Sequence, residues 1–265
     1  MRIAIMGAGA VGGYFGGLLA LHGLDVTFIA RGEHLRAMQK NGLTLETPKG
    51  SLHVGNARFV ANPAEMDGCD VVLFAVKAYD IEAAAAPLKP LVDAGATIIS
   101  VLNGVDHQDR IGAVVGSDRV LGGLAMVSGV MTAPGVIRYT SPMSSLRFGE
   151  ADGSASVRAI AFRDACVAAG FSAEVVGDIR AAQWTKFVAL ATNAALTSLF
   201  WPSNPIWTVH PSRCRPSRIT NRTAADGLCH AWHSAAGKRG VNHQPFPLSS
   251  GIAIVSLPDI QVLTA

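Results

Sequence analysis

The sequence predicts an α/β chain, with a doubly wound parallel sheet first and the start of a helical domain after it. Three observations carry this. Short apolar, β-branched runs alternate with helix-spaced segments from residue 2 to about residue 130. The first such run leads directly into a glycine-rich turn and then a helix. A long apolar stretch with helical character runs from Ile179 to Leu199.

The elements follow in order. Arg2–Met6 reads as a buried strand, 7–12 as a glycine turn, and Val11–His22 as a helix with small residues on one side, closed by Gly23. Asp25–Ala30 is a second buried strand, completing a β-turn-α-β unit of about 30 residues. Val71–Val76 reads as a strand, Ile81–Leu88 as a helix ending near Pro90, and Thr97–Leu102 as another strand. Val120–Val130 and Gly135–Tyr139 read as further strands, with a turn at Ala133-Pro134-Gly135. Ser154–Ala169 is helical, Ala173–Val176 is a short strand, and Ile179–Leu199 opens the helical domain.

Composition narrows the function classes. Of the 265 residues 49% are hydrophobic and 15% charged, so a packed core is expected and disorder is not. A net charge of +3 without a Lys/Arg stripe points away from nucleic acid. No uninterrupted apolar run reaches the roughly 18 residues of a membrane helix, and glycines break the apolar N-terminus where a signal peptide needs continuity. Cys69, Cys166, Cys214 and Cys229 are scattered and form no CxxC pair, which fits reduced thiols in the cytoplasm. No metal site is expected.

Gly7-Ala8-Gly9-Ala10-Val11-Gly12 is a GxGxxG turn between a strand and a helix. The first glycine permits the tight turn, the second lets backbone approach a pyrophosphate, and the third lets helix pack on strand. The helix N-terminus then offers free N–H groups and partial positive charge to phosphates. This is a dinucleotide-binding Rossmann unit. The end of its second strand reads Phe28-Ile29-Ala30-Arg31, and Arg31 stands where NAD-binding units place an acid for the ribose 2′-OH. A guanidinium there favours a 2′-phosphate, so NADP (NADPH) is the expected cofactor; Asp25, at the start of the strand, is the dissenting candidate.

Three further polar residues are set for chemistry. Lys77 follows one apolar strand and Asn103 another, at the carboxyl ends where open α/β sheets bind ligands. Lys186 interrupts the apolar run Trp184-Thr185-Lys186-Phe187-Val188. Spacing alone leaves it open whether Lys186 snorkels to the surface or is buried for a purpose.

Over residues 1–199 the chain resembles the ketopantoate reductase (2-dehydropantoate 2-reductase) family. The resemblance rests on MGAGAVGGYFG, on Arg31, on VKAYD at 76–80, LNGV at 102–105 and IRAAQWTKF at 179–187. It implies NADPH-dependent reduction of ketopantoate to pantoate in pantothenate biosynthesis. It also implies Lys186 as general acid, Asn103 orienting nicotinamide and lysine, and Lys77 helping to hold the cofactor. A homodimer is a further expectation. The domains expected are an NADP-binding Rossmann domain at 1–177 and an incomplete helical substrate domain at 178–265.

The chain departs from the family in two places. Where many members carry asparagines one and two turns after the lysine, this chain has Leu190 and Ala194. Asn193, next to Ala194, is turned about 100° from it and is not expected to replace that contact, so it stands only behind Asn103 and Lys186 among the expected substrate-binding residues. This keeps open a reductase of another 2-keto acid. After Phe200 no family segment is found. Residues 201–265 hold seven of the 13 prolines and three of the four tryptophans, as an unrelated reading frame joined to a family helix would. An inactive NADP-binding remnant is the reading of another class. Cys214, Cys229, His230 and His233 match no zinc spacing.

Overall fold

The computed structural model describes residues 1–141, 143–200, 255–257 and 260–262, without the side chains of 196–200, 255–257 and 260–262. Strand β1 (Arg2–Met6) leads through helix α1 (Ala10–Leu21) to β2 (Asp25–Ile29) and α2 (Gly32–Asn41). Short strands β3 (Leu43–Thr47), β4 (Gly50–Val54) and β5 (Arg58–Val60) follow. Next come β6 (Val71–Phe74), α3 (Ile81–Ala85), α4 (Lys89–Asp93), β7 (Thr97–Ser100), α5 (His107–Val115) and β8 (Val120–Met126). Strands β9 (Gly129–Ala133), β10 (Val136–Tyr139) and β11 (Ser145–Gly149) precede α6 (Val157–Ala168), β12 (Ser172–Val175) and α7 (Ile179–Phe200). A hairpin of β13 (Val255–Leu257) and β14 (Ile260–Val262) is also described.

The main sheet has eight strands in the order β12-β11-β8-β7-β6-β1-β2-β5. From β5 to β8 all neighbours are parallel, and only the β11–β8 pairing is antiparallel. The chain runs outward from β1 in both directions, so strand order reverses between β1 and β6. That reversal opens a crevice at the carboxyl ends of the strands. Phe74, Ile81, Leu88, Ile98 and Ile111 fill one face of the sheet. Phe15, Leu19, Phe148 and Phe162 fill the other.

The second sheet, in the order β4-β3-β10-β9, was not expected. Its strands are short and partly exposed, and β3 pairs with β10 some 90 residues away, with Leu45 opposite Ile137. The expected single strand 120–130 is two strands in different sheets, because the chain leaves the main sheet after Met126. The expected helix 81–88 is interrupted by a 3-10 turn at Ala86–Leu88, where Pro87 lacks the N–H an α-helix needs. Helices α2 and α5 and strand β11 also went unread in the sequence.

Helix α1 lies between the two sheets, and its small residues serve both faces rather than one. A side chain at Gly16 would meet Ile5 and Phe28 of the main sheet at 2.6–2.7 Å. One at Gly13 would meet Ile137 at 2.2 Å, and one at Gly17 would meet Leu45 at 2.7 Å. Tyr14 stacks on Tyr139 at 4.6 Å, closing the contact with the second sheet. No described helix is long and apolar enough to cross a membrane. The buried thiols of Cys69 and Cys166 are free. Cys214, Cys229, His230 and His233, and all of 201–265 except 255–257 and 260–262, lie outside the described residues.

Gly13→Ala is expected to lower stability by about 1–3 kcal/mol, because overpacking against Ile137 outweighs the helix propensity gained. Urea unfolding checks this. Combined with Ile137→Ala, the total loss should be smaller than the sum of the two single losses; strict additivity would show that α1 and β10 do not crowd each other.

Candidate active site

The glycine turn sits where β1 meets the crevice. Gly7 has φ +97°, and a Cβ there would lie 2.9 Å from the Ala75 carbonyl group. A Cβ on Gly12 would lie 2.2 Å from the carbonyl oxygen of Gly7, so the helix can start this close to the turn only with glycine. Gly9 differs, because a Cβ there would meet no protein atom within 4 Å. Space free of protein above a backbone turn is what a pyrophosphate requires. Gly9 also caps α1, with no side-chain cap and no acid in the first turn, so the helix N-terminus is left to a ligand. Ala8 is buried, while Ala10 and Val11 pack against the core from the first turn. The residues present therefore fit a dinucleotide.

His34, which sequence reasoning missed, holds this turn. Its Nδ1 accepts from the Gly135 N–H at 3.0 Å, so its Nε2–H donates to the Ala8 carbonyl at 2.7 Å. One neutral imidazole thus ties the turn to the loop between β9 and β10.

Arg31 follows β2 and caps α2. Its guanidinium is largely exposed and lies 2.7 Å from Asp80 Oδ2, in the short turn after β6. Lys77, exposed at the start of that turn, accepts the Asp80 N–H on its carbonyl. Asn103 is exposed in the loop between β7 and α5. The half-buried Lys186, on α7, donates from Nζ to the Ala125 carbonyl near the end of β8 at 2.6 Å. Across the sheet order β2-β1-β6-β7-β8, the groups run Arg31, glycine turn, Lys77, Asn103, Lys186. Five adjacent strands span about 19 Å. Asn193 lies seven residues beyond Lys186 on α7 and is half-buried.

A buried polar cluster flanks Lys186. Strand β7 stops at Ser100, opposite Gly122, and β8 continues past it. On that overhang the Gln183 amide donates to the Gly123 carbonyl at 3.2 Å, and Lys186 takes Ala125. His107 lies behind them, with Nδ1 2.7 Å from Ser100 Oγ and Nε2 3.3 Å from Gln183 Nε2. Burial pushes the imidazole down to about 4, and the Lys186 charge adds to this. Burial also lowers the Lys186 amine to about 8.

Parallel strands, a glycine cradle at the switch point and a desolvated amine three strands away, near the carboxyl end of β8, mark a nicotinamide-dependent oxidoreductase. A family model described as "Ketopantoate reductase PanE/ApbA" matches residues 3–153, and the chain belongs to that family. It is 34% identical over 216 residues to the uncharacterized oxidoreductase YkpB of Bacillus subtilis, covering 80% of this chain and 70% of that protein. It is 32% identical over 207 residues to the 2-dehydropantoate 2-reductase of Mesorhizobium japonicum, covering 70% of this chain and 63% of that protein. The crystal structure of 2-dehydropantoate 2-reductase from Porphyromonas gingivalis superposes with a TM-score of 0.69 at 31% identity. That match covers 75% of this chain and 71% of the other.

The low amine pKa has a measurable consequence. Between about 8 and the ordinary lysine value of 10.5, the unfolded chain binds the proton that the folded chain has released. Lys186 therefore contributes a rise in stability with pH across that window, against the fall that the buried Cys69 and Cys166 thiols, held above their ordinary value, contribute from about pH 9. Lys186→Met is expected to remove this rise and to raise the urea midpoint at pH 7. An unchanged pH profile would contradict a desolvated ammonium.

Proposed function

We propose that this chain reduces the 2-keto group of ketopantoate to give pantoate, taking the hydride from NADPH. The observation that carries the reading is Lys186, a desolvated amine fixed on the Ala125 carbonyl at the crevice of a dinucleotide-binding sheet. The named 2-dehydropantoate 2-reductases among its relatives support it.

When bound, the nicotinamide supplies a hydride to the carbonyl carbon. The residues of the chain supply the rest. Negative charge grows on the carbonyl oxygen as the hydride arrives, and Lys186 donates a proton to it. With a pKa of about 8 the amine is still mostly protonated at pH 7, yet it is a far stronger acid than an ordinary lysine. One of its three N–H groups is held by Ala125, which leaves two to aim at substrate. Asn103, at the end of the adjacent strand, orients the nicotinamide and the lysine. Lys77 and the 7–12 turn hold the cofactor, the turn through backbone N–H groups. Asn193 is the candidate for a substrate contact further along α7. The cofactor-binding domain is taken as 1–177 and the substrate domain as beginning with α7.

Arg31 directs the choice of NADPH over NADH. Its exposed guanidinium can turn to a 2′-phosphate, and Asp80 holds it at that end of the crevice until then.

The deciding assay is NADPH oxidation by the purified chain, with and without ketopantoate. Ketopantoate-dependent turnover is expected, and its absence from folded, NADPH-binding protein overturns the reading. Lys186→Ala is expected to lose at least a hundredfold in kcat while its NADPH affinity, measured by fluorescence, stays within about threefold. Full activity in this variant contradicts the assignment.

Arg31→Ala is expected to raise KM for NADPH about tenfold or more, since a charge-assisted hydrogen bond contributes about 1.5–3 kcal/mol. KM for NADH should change little. Equal effects on both cofactors would remove Arg31 from the specificity account.

A further inference from the structure

His107 is fully buried, and the mechanism above gives it no proton to carry. Its surroundings suggest another task. Nδ1 faces Ser100 Oγ, on the last residue of β7, at 2.7 Å. The Asn103 loop runs between Ser100 and His107. On the other side Nε2 meets the Gln183 amide nitrogen at 3.3 Å, one helical turn before Lys186. That amide has two N–H groups, one for the Gly123 carbonyl and one for His107. The imidazole therefore accepts at Nε2 and donates at Nδ1. It contacts both elements that carry the reacting groups, and buried in this way it stays neutral.

We propose that His107 is a positioning residue, a neutral clamp that joins the Asn103 loop to the Lys186 helix through Ser100 and Gln183. The proposal rests on the reductase reading for its consequence, but the clamp itself is geometric. Two donors set on separate elements keep a single spacing only if something rigid joins those elements. Loss of about 1 Å in such a spacing can lower the rate about a hundredfold. A hydrogen-bonded ring in the core, with a partner on each side, supplies that rigidity.

The test uses the full chain and compares His107→Leu, His107→Gln, Gln183→Leu and the His107→Leu/Gln183→Leu pair. Active sites are counted by NADPH titration, so that loss of folded protein is divided out. His107→Leu is expected to lower kcat per site about a hundredfold and to leave KM for NADPH within about twofold. His107→Gln, which can still meet Gln183, should recover to within about tenfold of the parent. The double variant should be no slower than His107→Leu, since either change opens the same clamp.

A purely structural role predicts an unchanged kcat per site, and that result overturns the proposal. Losses that multiply in the double variant overturn it as well. Hydrogen exchange on the same proteins supplies an arm that needs no turnover. His107→Leu should speed exchange in both 101–106 and 183–189, and acceleration in one segment alone overturns the clamp. If the parent chain binds NADPH but does not reduce ketopantoate, the reductase reading fails and the exchange arm alone decides the clamp.

Discussion

Lys186 Nζ lies 2.6 Å from the carbonyl oxygen of Ala125, and that contact exists because β8 outruns β7. A strand with a neighbour on each side spends its backbone groups on the ladder. Beyond Gly122 the overhang of β8 leaves carbonyls for side chains to use, and α7 uses two of them. Gly123 and Ala125, two residues apart, face the same side of the strand. Gln183 and Lys186, three apart, face the same side of the helix. The pairing of the two periods fixes helix against strand. The ammonium is desolvated as a result, which weakens the fold at neutral pH and strengthens the amine as an acid. Stability and chemistry pull in opposite directions at this one atom, a pattern common in active sites.

The other end of the crevice depends on helix α1. Its glycine pairs 12–13 and 16–17 let a helix fit between two sheets, which ordinary side chains would hold apart. The same close approach brings the N-terminus of α1 to the turn at the end of β1, where it can face a phosphate. His34 reinforces the arrangement by joining the turn to the loop of the second sheet. Cofactor binding and packing are thus served by one run of small residues.

Much of this could be read from the sequence, for local reasons. The bounds of β1 are those expected, and α1 and β2 fall within one residue of expectation, because a buried strand, a glycine turn and a helix leave strong periodic signals over about 30 residues. The strands before Lys77 and Asn103 were legible for the same reason, although each ends two residues earlier than expected, at Phe74 and Ser100. The second sheet was not. Strands of four or five residues, half exposed, carry little periodicity, and β3 finds its parallel partner only after the chain has built most of the main sheet. The clamp around His107 was equally hidden, since Ser100, His107 and Gln183 meet only in space. One signal was present: Gln183, like Lys186, is a polar residue one turn along an apolar helix, and two such residues on one helical face suggest a shared polar partner.

The account turns on the state of one amine, which can be observed directly. Labelling the lysine side chains and following the Lys186 Cε and Nζ resonances against pH in the intact chain, with Lys186→Met to assign them, measures its titration. A midpoint near 8 is the expected result. A midpoint at the ordinary lysine value of 10.5 would mean that the ammonium is solvated, and would contradict the desolvated acid on which the proposed chemistry relies.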